Sequence, residues 1–209
     1  VEGKSSVDRY YAIGLTYTNG PLNLAAVVDQ TNFSTTKWNG VDWGNPVDDA
    51  LTVTVGGNYD FQVVKLYAGA QYFDNADLNS IDNIFSKDFA LSPAQTERFQ
   101  VKGYGLTIGA DIPAAGGTFK VATSYLDGTI DKVNGWDMAT AIGATFGEID
   151  ISRWNTSAGY LYSLSKRTSL YGVASYSYQT VKGQKDFNGY SLDVAPTVIE
   201  VAAGIVHKF

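Results

Sequence analysis

The single histidine of the chain, His207, and the absence of cysteine limit the covalent chemistry that the sequence can support. A hydrolase triad needs histidine beside a serine and a carboxylate, and a zinc site needs several histidine or cysteine ligands. His207 has no partners at such spacings and is expected to point outward from its segment. Asp74, Asp77 and Asp82 faintly resemble a calcium-binding loop, but Asn79 stands where that loop needs glycine. We therefore expect no catalytic residue, no metal site and no cofactor.

The other candidate residues are charged or polar side chains that recur at alternate positions of short segments. They are Lys65, Lys120, Tyr67, Gln71, Asp29 and Glu200. Alternate side chains of a strand point to one face of a sheet, so these residues would line a surface rather than meet at one point. The chemistry that such a surface offers is electrostatic attraction or repulsion, without bonds being made or broken.

Alternation of apolar with small or polar residues is the dominant pattern of the sequence. Nine runs of about ten residues show it: 9–18, 22–33, 48–59, 62–73, 99–112, 118–127, 152–164, 168–180 and 197–209. Aromatic residues make up 13% of the chain and proline is scarce, which favours strands over helices. No window of 18 or more apolar residues is present, so no transmembrane helix is predicted, whereas a barrel strand needs only about 9–11 residues.

The connections between the runs alternate between short and long. Short turns are predicted at Asn19-Gly20-Pro21, Asp60-Phe61, 113–117 and 165–167, and longer polar loops at 34–47, 74–98, 128–151 and 181–196. Such alternation is typical of a transmembrane barrel with tight turns on one side and long loops on the other. The segment 128–151 alternates weakly, and it is interpreted as a loop, a folded insertion or an extra hairpin.

The two faces of the predicted sheet differ in a way that favours a membrane protein. One face carries Leu66, Ile108 and Val121, and tyrosines such as Tyr11 and Tyr17 stand near the ends of its apolar rows. Aromatic residues at both ends of an apolar band are typical of the two membrane interfaces. The opposite face is small or polar. A soluble β-sandwich or a lipocalin-like barrel, the alternative, would put its apolar face inside.

The last residues of the chain resemble a known family. Residues 201–209, VAAGIVHKF, look like the closing strand of the Gram-negative general porins, which ends in a glycine-containing motif with histidine and a terminal aromatic residue. Residues 160–171, with the turn sequence LSKRT, resemble that family's penultimate hairpin. Residues 59–69 and 104–117 also read like family strands and turns. The likeness extends over residues 10–209.

The resemblance implies an all-β fold, a transmembrane antiparallel barrel of sixteen strands that assembles as a trimer. Residues 1–209 would be one domain, the C-terminal part of that barrel, with the nine runs matching about strands 8 to 16. Nine strands do not close a barrel with both ends on the same side, and an open edge in lipid is forbidden. We therefore expect further strands outside this sequence. The alternative is that 128–151 supplies a tenth strand and closes a small independent barrel.

The resemblance further implies a porin of the Gram-negative outer membrane, a multi-pass channel for passive diffusion of small hydrophilic solutes and ions. Lys65 and Lys120 would bias the pore toward anions, or they are simply solvated wall residues. Phe209 would be part of the signal read by the barrel-assembly machinery, or an interfacial aromatic residue. Lipid, lipopolysaccharide and two further copies of the chain are the expected partners, and a net charge of −6 disfavours nucleic acid. The competing functions are a barrel enzyme and a non-conducting adhesion or structural anchor.

The expectation of further strands gives a direct test. Mass spectrometry of the intact natural protein should detect a species well above the 22.5 kDa of this sequence. A natural protein of 22.5 kDa that forms a barrel without assembling as a trimer would contradict the expectation.

Overall fold

The structure, a computed structural model, describes residues 9–32, 37–38, 41–42, 48–77, 99–133, 136–137, 148–183 and 193–208. These residues form β-strands, turns and bends. No helix in this part of the chain has the length and apolar character needed to cross a membrane.

Nine long strands form the sheet. They are β1 (Arg9–Asn19), β2 (Leu22–Asn32), β5 (Ala50–Asp60), β6 (Lys65–Asp77), β7 (Phe99–Ala114), β8 (Gly117–Val133), β10 (Ile149–Ser163), β11 (Thr168–Gly183) and β13 (Thr197–His207). Each pairs antiparallel with the next long strand along the chain. The nine predicted runs are therefore confirmed as strands.

Four short strands complete the described part. β3 (Lys37–Trp38) and β4 (Val41–Asp42) pair with each other, whereas β9 (Trp136–Asp137) pairs with β8 and β12 (Asp193–Val194) pairs with β11. The uncertain segment 128–151 is thus divided. Its first residues extend β8 to Val133 and its last three begin β10, while 138–147 lie outside the described residues. Likewise β6 and β11 continue beyond their predicted ends, to Asp77 and Gly183.

The short connections differ in length or position from those that the sequence indicated. Ala115 and Gly116, with φ of 49° and 78°, form the two-residue turn within the predicted 113–117. Two positive φ values at the centre of a two-residue loop suit the right-handed twist of the flanking strands. The predicted Asp60-Phe61 turn is wrong in position, and so is the start of the run at 62. The turn is 61–64, in which Phe61 N donates to Val64 O at 2.9 Å, so β6 begins at Lys65.

The register of the sheet places the apolar residues on one face, here called the outward face. Ile108 lies between Ala68 of β6 and Thr123 of β8, and its side chain is 61% exposed. Leu106 and Leu66 on the same face are 50% and 45% exposed. A soluble protein rarely exposes so extended an apolar surface, because water does not solvate it favourably. The arrangement expected for a lipid-facing sheet is therefore present.

The opposite face, here called the polar face, contains an apolar cluster that the sequence analysis did not anticipate. Near the long-loop ends of the strands, eight apolar side chains on this face are buried: Ala50, Phe73, Ala76, Val101, Ile130, Ile149, Ile151 and Val181. Phe73 is 2% and Val101 0% exposed. The close approach of strands there requires glycine, since a Cβ on Gly103 would lie 2.1 Å from the Asp127 carbonyl oxygen.

The sheet has two edges. Within the described residues β1 pairs only with β2, and β13 pairs with β11 but not with β1. This topology agrees with the expectation that these nine strands do not form a closed barrel. Unpaired backbone groups are not tolerated in hydrocarbon, so both edges require partners in a membrane.

A pair of lysine substitutions tests which face contacts lipid. Ile108 lies midway along the outward row of β7, and Thr107 is its neighbour on the polar face. In the natural protein, Ile108→Lys should lower the free energy of unfolding from lipid vesicles by about 2–4 kcal/mol, because it places a charge near the bilayer midplane. Thr107→Lys, the matched control, should change it by less than about 1 kcal/mol. Equal losses in urea titrations would contradict the assignment.

Candidate functional site

The candidate residues all lie on the polar face, distributed over four strands. Lys65, Tyr67 and Gln71 alternate along β6, and Lys120 belongs to β8. Asp29 of β2 pairs with Thr52, and Glu200 of β13 pairs with Ser175, both in polar-face positions. The strands bring Lys65, Tyr67 and Lys120 together and leave Gln71, Asp29 and Glu200 apart from that group.

Four charged residues follow one another across the sheet near its short-turn end. The Cα partners are Asp60 of β5 with Lys65, Lys65 with Asp111 of β7, and Asp111 with Lys120. The charges therefore alternate in sign over four neighbouring strands. Cross-strand pairs of opposite charge stabilise a sheet modestly, by about 0.2–1 kcal/mol each. This row is here called the charged row.

Asp111 is the centre of the charged row. Its Oδ2 accepts a hydrogen bond from Tyr67 Oη at 3.0 Å and lies 2.5 Å from Lys120 Nζ. Lys65 Nζ lies over the Tyr67 ring, 5.5 Å from the ring centroid, within the range of a cation–π contact. One carboxylate oxygen thus binds two donors, from the strands on either side. Tyr67 contacts Lys65 through its ring and Asp111 through its hydroxyl.

Sequence reasoning placed Asp111 on the same face as Lys120 but did not include it among the predicted pore-lining residues, and it did not predict that the two side chains meet. The signal was the spacing around the turn after β7. Asp111 and Lys120 are equally distant from the two-residue turn 115–116, so a tight hairpin makes them cross-strand partners. This spacing predicts the Asp111–Lys120 pair only when the two residues that form the turn are known.

The other polar residues of this face make weaker contacts. Gln71 Nε2 donates to Thr54 Oγ1 at 3.0 Å, and Ser175 Oγ donates to Glu200 Oε2 at 3.4 Å. Gln100, Ser177 and Gln179 are buried beside the apolar cluster. Among the described residues, no group of three or more histidine, cysteine, aspartate or glutamate side chains is arranged to bind a metal ion.

A recess of about 400 Å³ adjoins the charged row. Tyr67, Asp111 and Lys120 line one side of it, and Tyr171 and Val173 of β11 line another. The strands between them contribute small residues: Gly109, Ala122, Ser157 and Gly159. Because these side chains are short, the polar groups of the charged row are accessible from the space in front of the sheet.

The outward face carries an aromatic row at the opposite end of the strands from the charged row. Tyr104 and Tyr125 have ring centroids 6.4 Å apart, and Tyr125 and Trp154 have theirs 6.0 Å apart. Beyond them on the outward face the residues become polar, including Lys102, whose Nζ lies 3.5 Å from Asp74 Oδ2. A change from apolar through aromatic to charged residues is what the membrane–water interface selects.

His207 lies at the other end of the outward face. Its Nδ1 is 2.9 Å from Thr168 Oγ1, and the side chain is exposed. This placement agrees with the prediction of an outward-pointing residue. Phe209, predicted as an assembly signal, lies outside the described residues.

Comparison with known proteins decides the family. Residues 1–184 match the family described as Gram-negative porin. The chain belongs to the Gram-negative porin family. The resemblance on which the sequence analysis relied is thereby confirmed, and the chain is an outer-membrane β-strand protein of that family.

Two relatives of this porin chain extend the comparison. An outer membrane porin protein of Bordetella pertussis is 30% identical over 210 residues, which cover 99% of this chain and 48% of the relative. An anion-selective porin from Comamonas acidovorans has a similar fold, with a TM-score of 0.59, 23% identity and coverage of 99% of this chain and 51% of that one. The chain thus spans about half the length of these relatives.

Cysteine substitutions test the placement of the predicted pore-lining residues of this porin. Because the sequence has no cysteine, a single introduced thiol is the one reporter in this chain. In the natural protein embedded in its membrane, the thiols introduced by Lys65→Cys and Lys120→Cys should react with a charged, membrane-impermeant thiol reagent. The matched variants Leu66→Cys and Val121→Cys should react about tenfold more slowly, since hydrocarbon suppresses the reactive thiolate. Comparable labelling rates at both positions of a pair would contradict the assignment of faces.

Proposed function

We propose that the chain forms about half of the wall of a water-filled channel through which small hydrophilic solutes and ions diffuse passively. The observation that carries the proposal is the contrast between the two faces of one sheet. Ile108 is 61% exposed on the outward face, whereas Lys65, Asp111 and Lys120 occupy the polar face. A charge costs little next to water and about 2–4 kcal/mol at the lipid midplane, so the charged face belongs to an aqueous interior.

The mechanism we propose is size exclusion combined with the electrostatic field of the wall. Small residues on the polar face keep the space in front of the sheet open, and the lysines and carboxylates select among ions by charge. No bond is made or broken in this mechanism, so the protein is proposed not to be an enzyme. The family contains channels, and the name of the Bordetella relative supports this choice over an anchor or a barrel enzyme.

The proposed pore-lining residues are Lys65, Lys120, Tyr67, Gln71, Asp29 and Glu200. Lys65 and Lys120 are proposed to favour anions over cations. The name of the structural neighbour, an anion-selective porin, is consistent with this preference, although the likeness at 23% identity concerns the fold. The wall of this half would then attract anions through its lysines, while the carboxylates moderate the field.

The whole channel is proposed to contain strands that this chain does not supply. β1 and β13 need partners in lipid, and the chain covers 48% of the Bordetella relative, so residues 1–209 are proposed to be strands 8 to 16 of a sixteen-stranded barrel. Assembly as a trimer, contact with lipopolysaccharide and reading of Phe209 by the barrel-assembly machinery are proposed on the family resemblance.

Conductance measurement tests the proposed function. The natural protein, purified from outer membranes in its native assembly, should produce stepwise, ohmic current increments when added to planar lipid bilayers. The same preparation unfolded by heat is the control and should produce none. A correctly folded protein that inserts into the bilayer without conducting would overturn the channel proposal and favour the structural anchor.

A further inference from the structure

The two lysines of the charged row differ in their partners. Lys120 Nζ is 2.5 Å from Asp111 Oδ2, which makes it one half of an ion pair. Lys65 has two carboxylates as cross-strand neighbours, Asp60 and Asp111, but both are engaged elsewhere. Asp60 Oδ1 accepts a hydrogen bond from Gln62 N at 2.8 Å inside the turn 61–64.

Lys65 is therefore the lysine of this row that forms no ion pair among the described residues. No carboxylate lies within ion-pairing distance of its Nζ among the described residues. Its Nζ lies over the face of the Tyr67 ring, 5.5 Å from the centroid, and a ring quadrupole attracts a cation without cancelling its net charge. The hydroxyl of the same Tyr67 donates to Asp111, so one side chain holds Lys65 in place and also helps to fix the carboxylate.

We propose that Asp111 is a specificity-determining residue of the channel. It neutralises Lys120, so the charges of the row, which are Asp60, Lys65, Asp111 and Lys120, sum to zero, whereas without the charge of Asp111 the row would carry one net positive charge. The proposal rests on the proposed channel function and deepens it by assigning unequal roles to Lys65 and Lys120. Asp111 thereby weakens the preference for anions.

The physical basis is the difference between a single charge and a pair. The field of an ion pair falls off faster with distance than that of an isolated charge, because the two contributions nearly cancel. At physiological ionic strength an isolated charge acts over a Debye length of about 8 Å, whereas at 1 M salt it acts over about 3 Å. At moderate salt, an ion passing in front of the sheet therefore responds weakly to the Lys120–Asp111 pair, and it would respond more strongly to Lys120 without the charge of Asp111.

The small residues beside the row bring ions within that distance. Gly109 precedes Asp111 on the polar face of β7, and Ala122 follows Lys120 on that of β8. Ser157 and Gly159 of β10 are also small and lie next to them. All four residues line the recess of about 400 Å³. Hydrated ions can therefore approach the charged row without a bulky side chain in between.

The experiment is a reversal-potential measurement on the natural protein in planar bilayers under a potassium chloride gradient. Asp111→Asn keeps the size of the side chain but removes its charge, so the charge of Lys120 is no longer neutralised. The ratio of chloride to potassium permeability should rise by about threefold at low salt. The matched control is Asp127→Asn, since Asp127 accepts a hydrogen bond from Tyr125 Oη at 2.9 Å on the outward face. This control should leave the ratio unchanged.

Two further variants separate a charge effect from a structural one. Lys120→Gln should lower the permeability ratio, because Asp111 then acts uncompensated. The double variant Asp111→Asn with Lys120→Gln should return the ratio to near its original value, since an ion pair is replaced by a neutral pair. At 1 M salt, where the Debye length is about 3 Å, all these differences should shrink.

The outcomes distinguish this inference from the channel proposal. If Asp111→Asn conducts normally with the original permeability ratio, Asp111 does not determine selectivity although the protein is a channel. If the double variant differs from the original protein as much as either single variant, the residues do not act as a neutral pair. Loss of conductance in the unsubstituted protein would instead overturn the channel function itself.

Discussion

The structure depends on one constraint, that a backbone N–H or C=O group in hydrocarbon must find its hydrogen-bond partner within the protein. The nine long strands meet this constraint along their length by pairing with the next long strand, from β1 to β13. The short turns close neighbouring strands with few residues, and their backbone groups are bonded too, as in Phe61 N to Val64 O. The two strands at the edges, β1 and β13, are where the same constraint demands further partners.

Because the backbone is paired in the same way throughout the sheet, only the side chains differ between the face toward lipid and the face toward water. A strand alternates its side chains between the faces, so each run of the sequence meets lipid and water with every second residue. The outward face accordingly changes along the strands. Aliphatic residues such as Ile108 come first, the aromatic row of Tyr104, Tyr125 and Trp154 follows, and Lys102 with its partner Asp74 comes last. This order reproduces the profile of a bilayer leaflet from hydrocarbon to headgroup.

The polar face is less uniform than a simple aqueous wall. At the short-turn end it carries the charged row, in which Asp111 binds Lys120 and Tyr67. At the long-loop end it carries buried apolar residues, with Phe73 and Val101 almost inaccessible. Contacts between charged side chains therefore belong to the first region, and tight packing of apolar side chains to the second. A Cβ added to Gly103 would collide with the Asp127 carbonyl oxygen, so the strands pack too closely there for any residue but glycine.

The class of fold and the faces of the strands follow from the amino-acid sequence alone, because alternation with period 2 acts residue by residue and needs no knowledge of partners. The sequence located nine strands, placed Lys65 and Lys120 on the face opposite Ile108, and carried motifs specific enough to indicate the porin family. Which charges neutralise each other follows from the assembled sheet. That depends on register, and register depends on turns that the sequence placed only approximately: 61–64 rather than 60–61, and 115–116 within 113–117. A shift of one residue in a turn changes every cross-strand partner, so the pair of Asp111 with Lys120 and the apolar cluster around Phe73 became visible only when the strands were assembled.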